Sequence, residues 1–268
     1  MVSEPDTTGR TYDEAMTRLA MPLEEAMTTQ RAVRRLLPDP VDDRIVLRCI
    51  ELALKAPTGS NGQNWEFVVV KDVDTKAALG RKYRQAWTPY QRLGDWMTQN
   101  QDTPVARTVA RASGGGNADA ETMSKILRAV QWQVDHFTEL PVLVVACLRG
   151  GKMPFVPQPS LQASSFYGSI YPSVQNLLLA ARAAGLGASL ITLPLWSLTT
   201  ARKVLGLPTS VTPECLVPLG WPRGRYGPTP RRPVGDGGHP DRFGTQPGRD
   251  AAEAAACASA ISPPCARG

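Results

Sequence analysis

The run from Pro141 to Cys147 is continuously apolar, and it constrains the fold more than any other stretch of the chain. Seven residues without a polar side chain suit a buried strand, because a strand shows alternate residues to opposite faces and both would here be apolar. A second β-rich run, Trp65-Glu-Phe-Val-Val-Val70, also reads as a strand. Gly187 to Leu193 and Cys215 to Leu219 supply two more strand candidates. Helical periodicity dominates between them. Tyr171 to Ala184 places Val174, Leu177, Leu178 and Ala181 on one face and ends at Gly185, where a left-handed cap residue belongs. Few strands among many helices predict an α+β layout.

Other helices follow from spacing and caps. Asp13 to Thr29 reads as amphipathic, with Ala15, Leu19 and Leu23 among its apolar positions, and Pro22 kinks it or starts a new segment. Asp42 or Asp43 caps a second helix in which Val46, Ile50, Ala53 and Ala56 recur, and Pro57 with Gly59 ends it. Residues 75–137 hold two or three further helices around Ser113-Gly-Gly-Gly-Asn117, a flexible loop by composition that can act as a lid beside a binding site. A short helix is expected around Leu198 to Leu205. Beyond Phe243 the segment Gly244 to Gly268 is rich in Ala, Gly, Pro and Arg with little large apolar content, the composition of a disordered tail. The reading divides the chain into an N-terminal helical extension (1–26), one domain (27–243) and that tail (244–268).

With 268 residues the chain is long enough for a substantial core. A net charge of +6 favours anionic partners, but the arginines are spread and no basic run carries interleaved aromatics, so nucleic acid is not indicated. The five cysteines, Cys49, Cys147, Cys215, Cys257 and Cys265, form no CxxC pair, so neither structural zinc nor a disulfide framework is supported. The first ten residues lack the pattern of a secretory signal, and no apolar stretch reaches the roughly 20 residues of a membrane span. A soluble cytoplasmic protein is expected. The two histidines, His136 and His239, give no basis for a catalytic triad.

Two polar segments break the otherwise ordinary pattern. Gln30-Arg-Ala-Val-Arg-Arg35 puts three arginines into five residues, a composition suited to an anion. About one helix later, Ala56-Pro-Thr-Gly-Ser-Asn-Gly-Gln-Asn-Trp65 gathers Gly, Ser, Asn and Gln between a helix and a strand. Asn61 and Gln63 carry the donor and acceptor pairs that read the heteroatoms of a polar ring, and Gly59 and Gly62 let the backbone approach closely. Further on come Gly185-Leu-Gly-Ala-Ser-Leu-Ile-Thr-Leu193, then Pro218-Leu-Gly-Trp-Pro222, and then Arg231-Arg-Pro233.

These segments, the last two counted as one terminal element, resemble in this order over roughly residues 27–235 the flavin-binding elements of the nitroreductase family. The resemblance implies a nitroreductase-like fold, with a central mixed or antiparallel sheet flanked by helices, in a domain-intertwined homodimer. It implies bound FMN and a ping-pong cycle in which NADPH or NADH reduces the flavin and a small electron-poor acceptor, a nitroaromatic or quinone, reoxidises it. Other chemistry of this scaffold stays open: reductive dehalogenation, oxygen-dependent FMN breakdown to dimethylbenzimidazole, or FMN storage without turnover.

Carried over position by position, Arg31 and Arg231, with Arg232 as the close alternative, lie at the phosphate. Arg34 lies at the pyrimidine edge, where it stabilises the reduced anion. Ala32 contributes backbone only. Pro57, Thr58, Gly59, Asn61 and Gln63 form a loop that reaches the flavin held mainly by the other subunit, and Thr192 and Leu193 pass its N5 and O4 edge. No protein residue need be catalytic, because the cofactor carries the hydride. Three positions depart from the family pattern: Ala32 replaces a serine, Asn64 a proline and Leu36 an aromatic. The segments around Trp87 to Trp96 and Met123 to Trp132 match no family element.

Overall fold

The computed structural model describes residues 10–100, 102–105, 108, 120–150, 160–231, 233, 234 and 237–244. Among them the helices are α1 (Tyr12–Arg18), α2 (Leu23–Thr29), α3 (Asp43–Ala53), α4 (Val73–Gln99), α5 (Ala120–Asp135), α6 (Ser160–Ala183) and α7 (Leu198–Leu205). The strands are β1 (Trp65–Val70), β2 (Val142–Arg149), β3 (Gly187–Ala188) and β4 (Val211–Gly220). They form one sheet in the order β1-β2-β4-β3 with every neighbouring pair antiparallel. The chain divides into two units, Met1–Gly227 and Pro228–Gly268. All the named elements lie in the first.

Strand β2 is central, and its apolar run is explained by cover on both faces. Val142, Val144, Ala146 and Leu148 join a core with Ile45, Val46 and Cys49 of α3 and Ile170, Val174 and Leu177 of α6. Leu143, Val145 and Cys147 face the opposite way, against Leu79, Tyr83 and Trp87 of α4, Val134 of α5 and Ala201 of α7. The result is a sheet between two helical layers, the arrangement that buries both faces of an all-apolar strand. Cys49, Cys147 and Cys215 are buried free thiols. Burial pushes each up to about 12, so they serve as apolar packing.

Local signals set most boundaries. Pro22 starts a new segment, standing as the N-cap of α2 after α1 has ended. Asp42 caps α3 by accepting from the Arg44 N–H at 2.8 Å. That helix stops at Ala53 rather than Ala56, and its last residues close through shorter bonds, Lys55 N–H to Leu52 O and Ala56 N–H to Ala53 O, both 3.2 Å. The cause is Pro57, which disfavours helical backbone at the residue before it. After α6, Gly185 has φ +85°. Its N–H bonds to Arg182 O and the Leu186 N–H to Ala181 O, at 3.1 and 2.8 Å, the two bonds of a Schellman motif.

Two elements differ from the sequence expectation. Helix α6 starts at Ser160, eleven residues before Tyr171, and runs through Pro172. Ile170, Val174 and Leu177 are seated in the core on either side of that proline, so packing overrides its local cost. The strand expected over Gly187 to Leu193 shrinks to Gly187–Ala188, with an isolated bridge at Ile191. Gly187 pairs with Gly220, Ala188 with Leu219 and Ile191 with Leu216, one register that would set Ser189 opposite Pro218. Proline has no N–H to donate, so the ladder breaks there.

Among the described residues no helix is long and apolar enough to cross a membrane, and no His/Cys/Asp/Glu group is placed to hold a metal. The Ser113–Asn117 loop and residues 245–268 lie outside the described residues.

Candidate functional site

The arginine segment is not a solvated turn. Residues 31–37 run extended between β3 and the stretch that follows β4. The Val33 N–H donates to Ala188 O, the Leu37 N–H to Trp221 O, and the Arg223 N–H to Arg35 O, at 2.8, 2.8 and 3.0 Å. Leu36 is buried and forms a bridge with Pro222. The segment passes so close to β3 that a Cβ on Gly187 would lie 2.6 Å from Cδ2 of Leu36 and 2.8 Å from Cγ1 of Val33. Glycine at 187 is therefore a packing requirement, in the close-approach sense. Ala32, alongside Ala188, is exposed.

This placement aims Arg34 into a cavity of about 280 Å³ lined also by Tyr83, Trp87 and Tyr90 of α4, by Ile126, Leu127 and Val130 of α5, and by Leu190 to Leu193. The Arg34 Nε is buried and has no hydrogen-bond partner among the described residues. Burial lowers the guanidinium pKa, the Tyr83 hydroxyl opposes that shift, and the charge of Arg31 adds to it. Burial also pushes the Tyr83 hydroxyl up to about 12 against the pull of Arg34. The cavity thus joins an under-satisfied cation, an aromatic wall in which Trp87 and Tyr90 stack at 5.6 Å, and the backbone edge at Thr192 and Leu193. A half-buried guanidinium whose buried Nε has no acceptor among the described residues fits an anionic or carbonyl-bearing ring edge.

A buried polar chain stiffens this arrangement. The Tyr83 hydroxyl donates to Oε1 of Gln133 at 3.3 Å, and Nε2 of Gln133 donates to Oγ of Ser189 at 3.0 Å. Nearer the opening, Nε1 of Trp87 donates to Oε1 of Gln131 at 2.7 Å. These bonds tie α4 to α5, and α5 to the strand edge one residue before Leu190. Sequence reasoning missed Tyr83, Gln133 and Ser189 as site residues and noted Trp87 only as part of a segment that matches no family element. A signal for Gln133 did exist, because a glutamine among Val130, Val134 and Phe137 occupies a core-facing helical position and must find partners there.

The second polar segment lies elsewhere. Its Gly59–Asn61 turn rests on α6, where the Gly59 N–H donates to Ser169 Oγ at 3.2 Å and a Cβ on Gly59 would lie 2.5 Å from Ser165 Oγ. The Gln63 N–H donates to Thr58 Oγ1 at 3.3 Å. Three residues without the freedom of glycine, Ser60, Asn61 and Gln63, have φ of 51°, 53° and 47°. Strain of this kind gathers at functional loops. Asn61 and Gln63 are exposed and hydrogen-bonded to each other at 3.1 Å. Pro57, Thr58, Gly59, Asn61 and Gln63 do not line the cavity that holds Arg34.

Of the remaining candidates, Arg31 is exposed, with Nη1 3.8 Å from a Cβ on Gly227. Arg231 belongs to the second unit, is exposed, and donates to Pro230 O at 2.8 Å. Arg232 lies outside the described residues. His136 stacks on Trp132 at 4.3 Å and pairs with Glu139 at 3.0 Å, and it takes no part in the cavity.

The nitroreductase family model matches residues 27–221. The chain is 25% identical over 227 residues to an NADH dehydrogenase of Thermus thermophilus, covering 80% of this chain and 95% of that one. It is 25% identical over 203 residues to an iodotyrosine deiodinase of Daphnia pulex, covering 74% of this chain but only 58% of the relative. Among solved structures, an iodotyrosine deiodinase bound to FMN and 3-iodo-L-tyrosine superposes with a TM-score of 0.56 at 22% identity, covering 84% of this chain and all of that one. At that identity the likeness speaks for the fold.

Proposed function

The chain belongs to the nitroreductase family, and from that premise we propose an FMN-dependent oxidoreductase that transfers hydride from NADPH or NADH to an electron-poor acceptor by a ping-pong mechanism. The observation that carries this reading is the Arg34 Nε, without a hydrogen-bond partner among the described residues, in the lining of an aromatic-walled cavity. FMN, when bound, supplies the hydride-accepting and hydride-donating centre.

The chain's own residues position and polarise. The half-buried guanidinium of Arg34 would hold the pyrimidine edge of the flavin and supply positive charge there. Its charge acts strongly there because the site is partly desolvated. Thr192 and Leu193, which line the same cavity, would hold the ring through their backbone. Arg31 would supply a charge-assisted clamp for the phosphate. Ala32 would add only its N–H, which donates to no backbone carbonyl among the described residues. The Pro57 to Gln63 loop completes the site from the second subunit of a homodimer, where Asn61 and Gln63 exchange their mutual hydrogen bond for bonds to the ligand. Buried Trp87 would keep water from its wall of the cavity.

With a nitroaromatic acceptor the overall step is R–NO₂ + NAD(P)H + H⁺ → R–NO + NAD(P)⁺ + H₂O. Two electrons pass as hydride, and one nitro oxygen leaves as water.

An anaerobic visible spectrum of the FMN-reconstituted protein, recorded before and after NADPH and then NADH, tests this. Bleaching of the oxidised flavin band, and its return when a nitroarene or quinone is added, is the expected result. Flavin that binds but is not bleached by either nucleotide would refute the donor half-reaction, and failure to bind FMN would refute the reading as a whole.

A further inference from the structure

Arg182, in the last turn of α6, is a buried cation that takes no part in the Arg34 cavity. It is 9% exposed and does not line that cavity. Its Nε donates to Oγ1 of Thr29 at 2.8 Å and its Nη2 to Oε1 of Glu25 at 3.4 Å, both on α2. The ring of Tyr226 covers the guanidinium, with 3.9 Å between Cζ and the ring centroid. Helix α1 reaches the same turn, for Nη1 of Arg18 lies 2.9 Å from where a Cβ on Gly185 would stand.

Stability alone does not account for this arrangement. Taking a guanidinium out of water is costly, and an apolar side chain of similar volume often does as well or better. The carboxylate of Glu25 is half-exposed and bonds at the long end of the range. The Tyr226 hydroxyl is buried without a hydrogen-bond partner among the described residues, so the ring is the part of Tyr226 that Arg182 engages. A paired and stacked guanidinium supplies direction, since its planar fork and its flat face each fix a neighbour.

Both neighbours bear on Arg31. Thr29 precedes it by two residues, and the Val33 N–H, two residues after it, donates to Ala188 O at 2.8 Å. The backbone of Arg31 is thus pinned on both sides, at Thr29 by Arg182 and at Val33 by the strand edge. Its side chain lies beside Gly227, with Nη1 3.8 Å from where a Cβ there would stand, and Gly227 directly follows Tyr226. One guanidinium therefore holds both the point from which Arg31 departs and the wall along which it extends.

We propose that Arg182 is a positioning residue for phosphate binding: clamped between Thr29 and the ring of Tyr226, it holds Arg31 in the pose that grips the flavin phosphate. It acts through Arg31 and not on the phosphate directly. The proposal rests on the reading of Arg31 as the phosphate clamp.

The test compares FMN with riboflavin, which has the same ring and ribityl chain without the phosphate. Quenching of flavin fluorescence gives both Kd values, and the ratio of riboflavin Kd to FMN Kd isolates the phosphate. A general loosening of the fold weakens both ligands and leaves the ratio alone. Arg31→Gln should lower the ratio by about tenfold or more, the scale of one charge-assisted hydrogen bond. Arg182→Met and Tyr226→Leu should each lower it by about threefold or more on the same scale. Tyr226→Phe keeps the ring and should keep the ratio. Combining Arg182→Met with Arg31→Gln should lower it no further than Arg31→Gln alone, because a residue that acts through Arg31 then has nothing to position.

A ratio unchanged in both Arg182→Met and Tyr226→Leu, while Arg31→Gln lowers it, would overturn the proposal. Losses that add in the combined variant would do so too, for they would make Arg182 a phosphate ligand in its own right. A ratio unchanged in Arg31→Gln would sink the phosphate reading itself and the proposal with it. If Arg182→Met does not fold, Tyr226→Leu, alone and combined with Arg31→Gln, decides the matter by the same ratios.

Discussion

Replacing Arg34 by methionine should move stability and flavin affinity in opposite directions. In the chain by itself the guanidinium is a liability, because its Nε is a buried donor without an acceptor and burial already disfavours its charged form. An unmet buried donor costs about 1–3 kcal/mol. Arg34 is only half-buried overall, so the lower end applies. Methionine keeps the length and apolar stem while removing the donor, and relief of about 1 kcal/mol raises Tm by roughly 2–4 °C in a chain of this size. With FMN present the sign reverses. A hydrogen bond to a charged group is worth about 1.5–3 kcal/mol, so flavin affinity should fall by roughly 10- to 150-fold. The assay is a thermal melt of the flavin-free protein, paired with titration of flavin fluorescence quenching. Arg35→Met, an exposed neighbour, should change neither quantity. A flavin-free protein that melts several degrees lower while binding FMN as tightly as wild type would refute the reasoning, for it would make Arg34 a structural residue.

Other consequences are equally concrete. Gly187→Ala should destabilise by about 1–3 kcal/mol through overpacking, because its methyl group collides with Leu36 and Val33; the displaced arginine segment should also weaken FMN binding, and a melt and titration matching wild type would argue against that crossing. Gln133→Leu strands the hydroxyls of Tyr83 and Ser189, so chemical denaturation should show a loss of about 2–6 kcal/mol, much of it recovered when Tyr83→Phe and Ser189→Ala are added to make the cluster apolar. The folded pKa values of Tyr83 and of Cys49, Cys147 and Cys215 are raised to about 12 from 10.0 and 9.0. Because the fold favours their neutral forms, the stability they contribute is complete below pH 9 and is lost as pH climbs from 9 towards 12. Melting temperatures rising across that window would contradict this assignment, as would rapid thiol labelling of those three cysteines in the native protein at pH 8.

Local chemistry wrote much of the molecule into the sequence. The apolar run at Pro141 to Cys147 announced a buried strand because no polar side chain interrupts either face. Asp42, Pro22 and Gly185 marked helix ends because capping and breaking act within a few residues. The order of the arginine segment, the polar loop, the glycine turn and the terminal strand identified the family, since each short motif keeps its own signature whatever surrounds it. None of these signals reaches across the chain. That Arg34 and Tyr83 line one cavity, that Gln133 links Tyr83 to Ser189, and that α6 continues through Pro172 depend on partners far apart in the chain, 50 and 56 residues for the two bonds of Gln133, brought together by burial against a sheet whose faces no local window can assign. The same holds for the break at Ser189. Pro218 is an ordinary strand residue in the sequence, and it opens the ladder only because the register sets its missing N–H opposite the edge of the cavity.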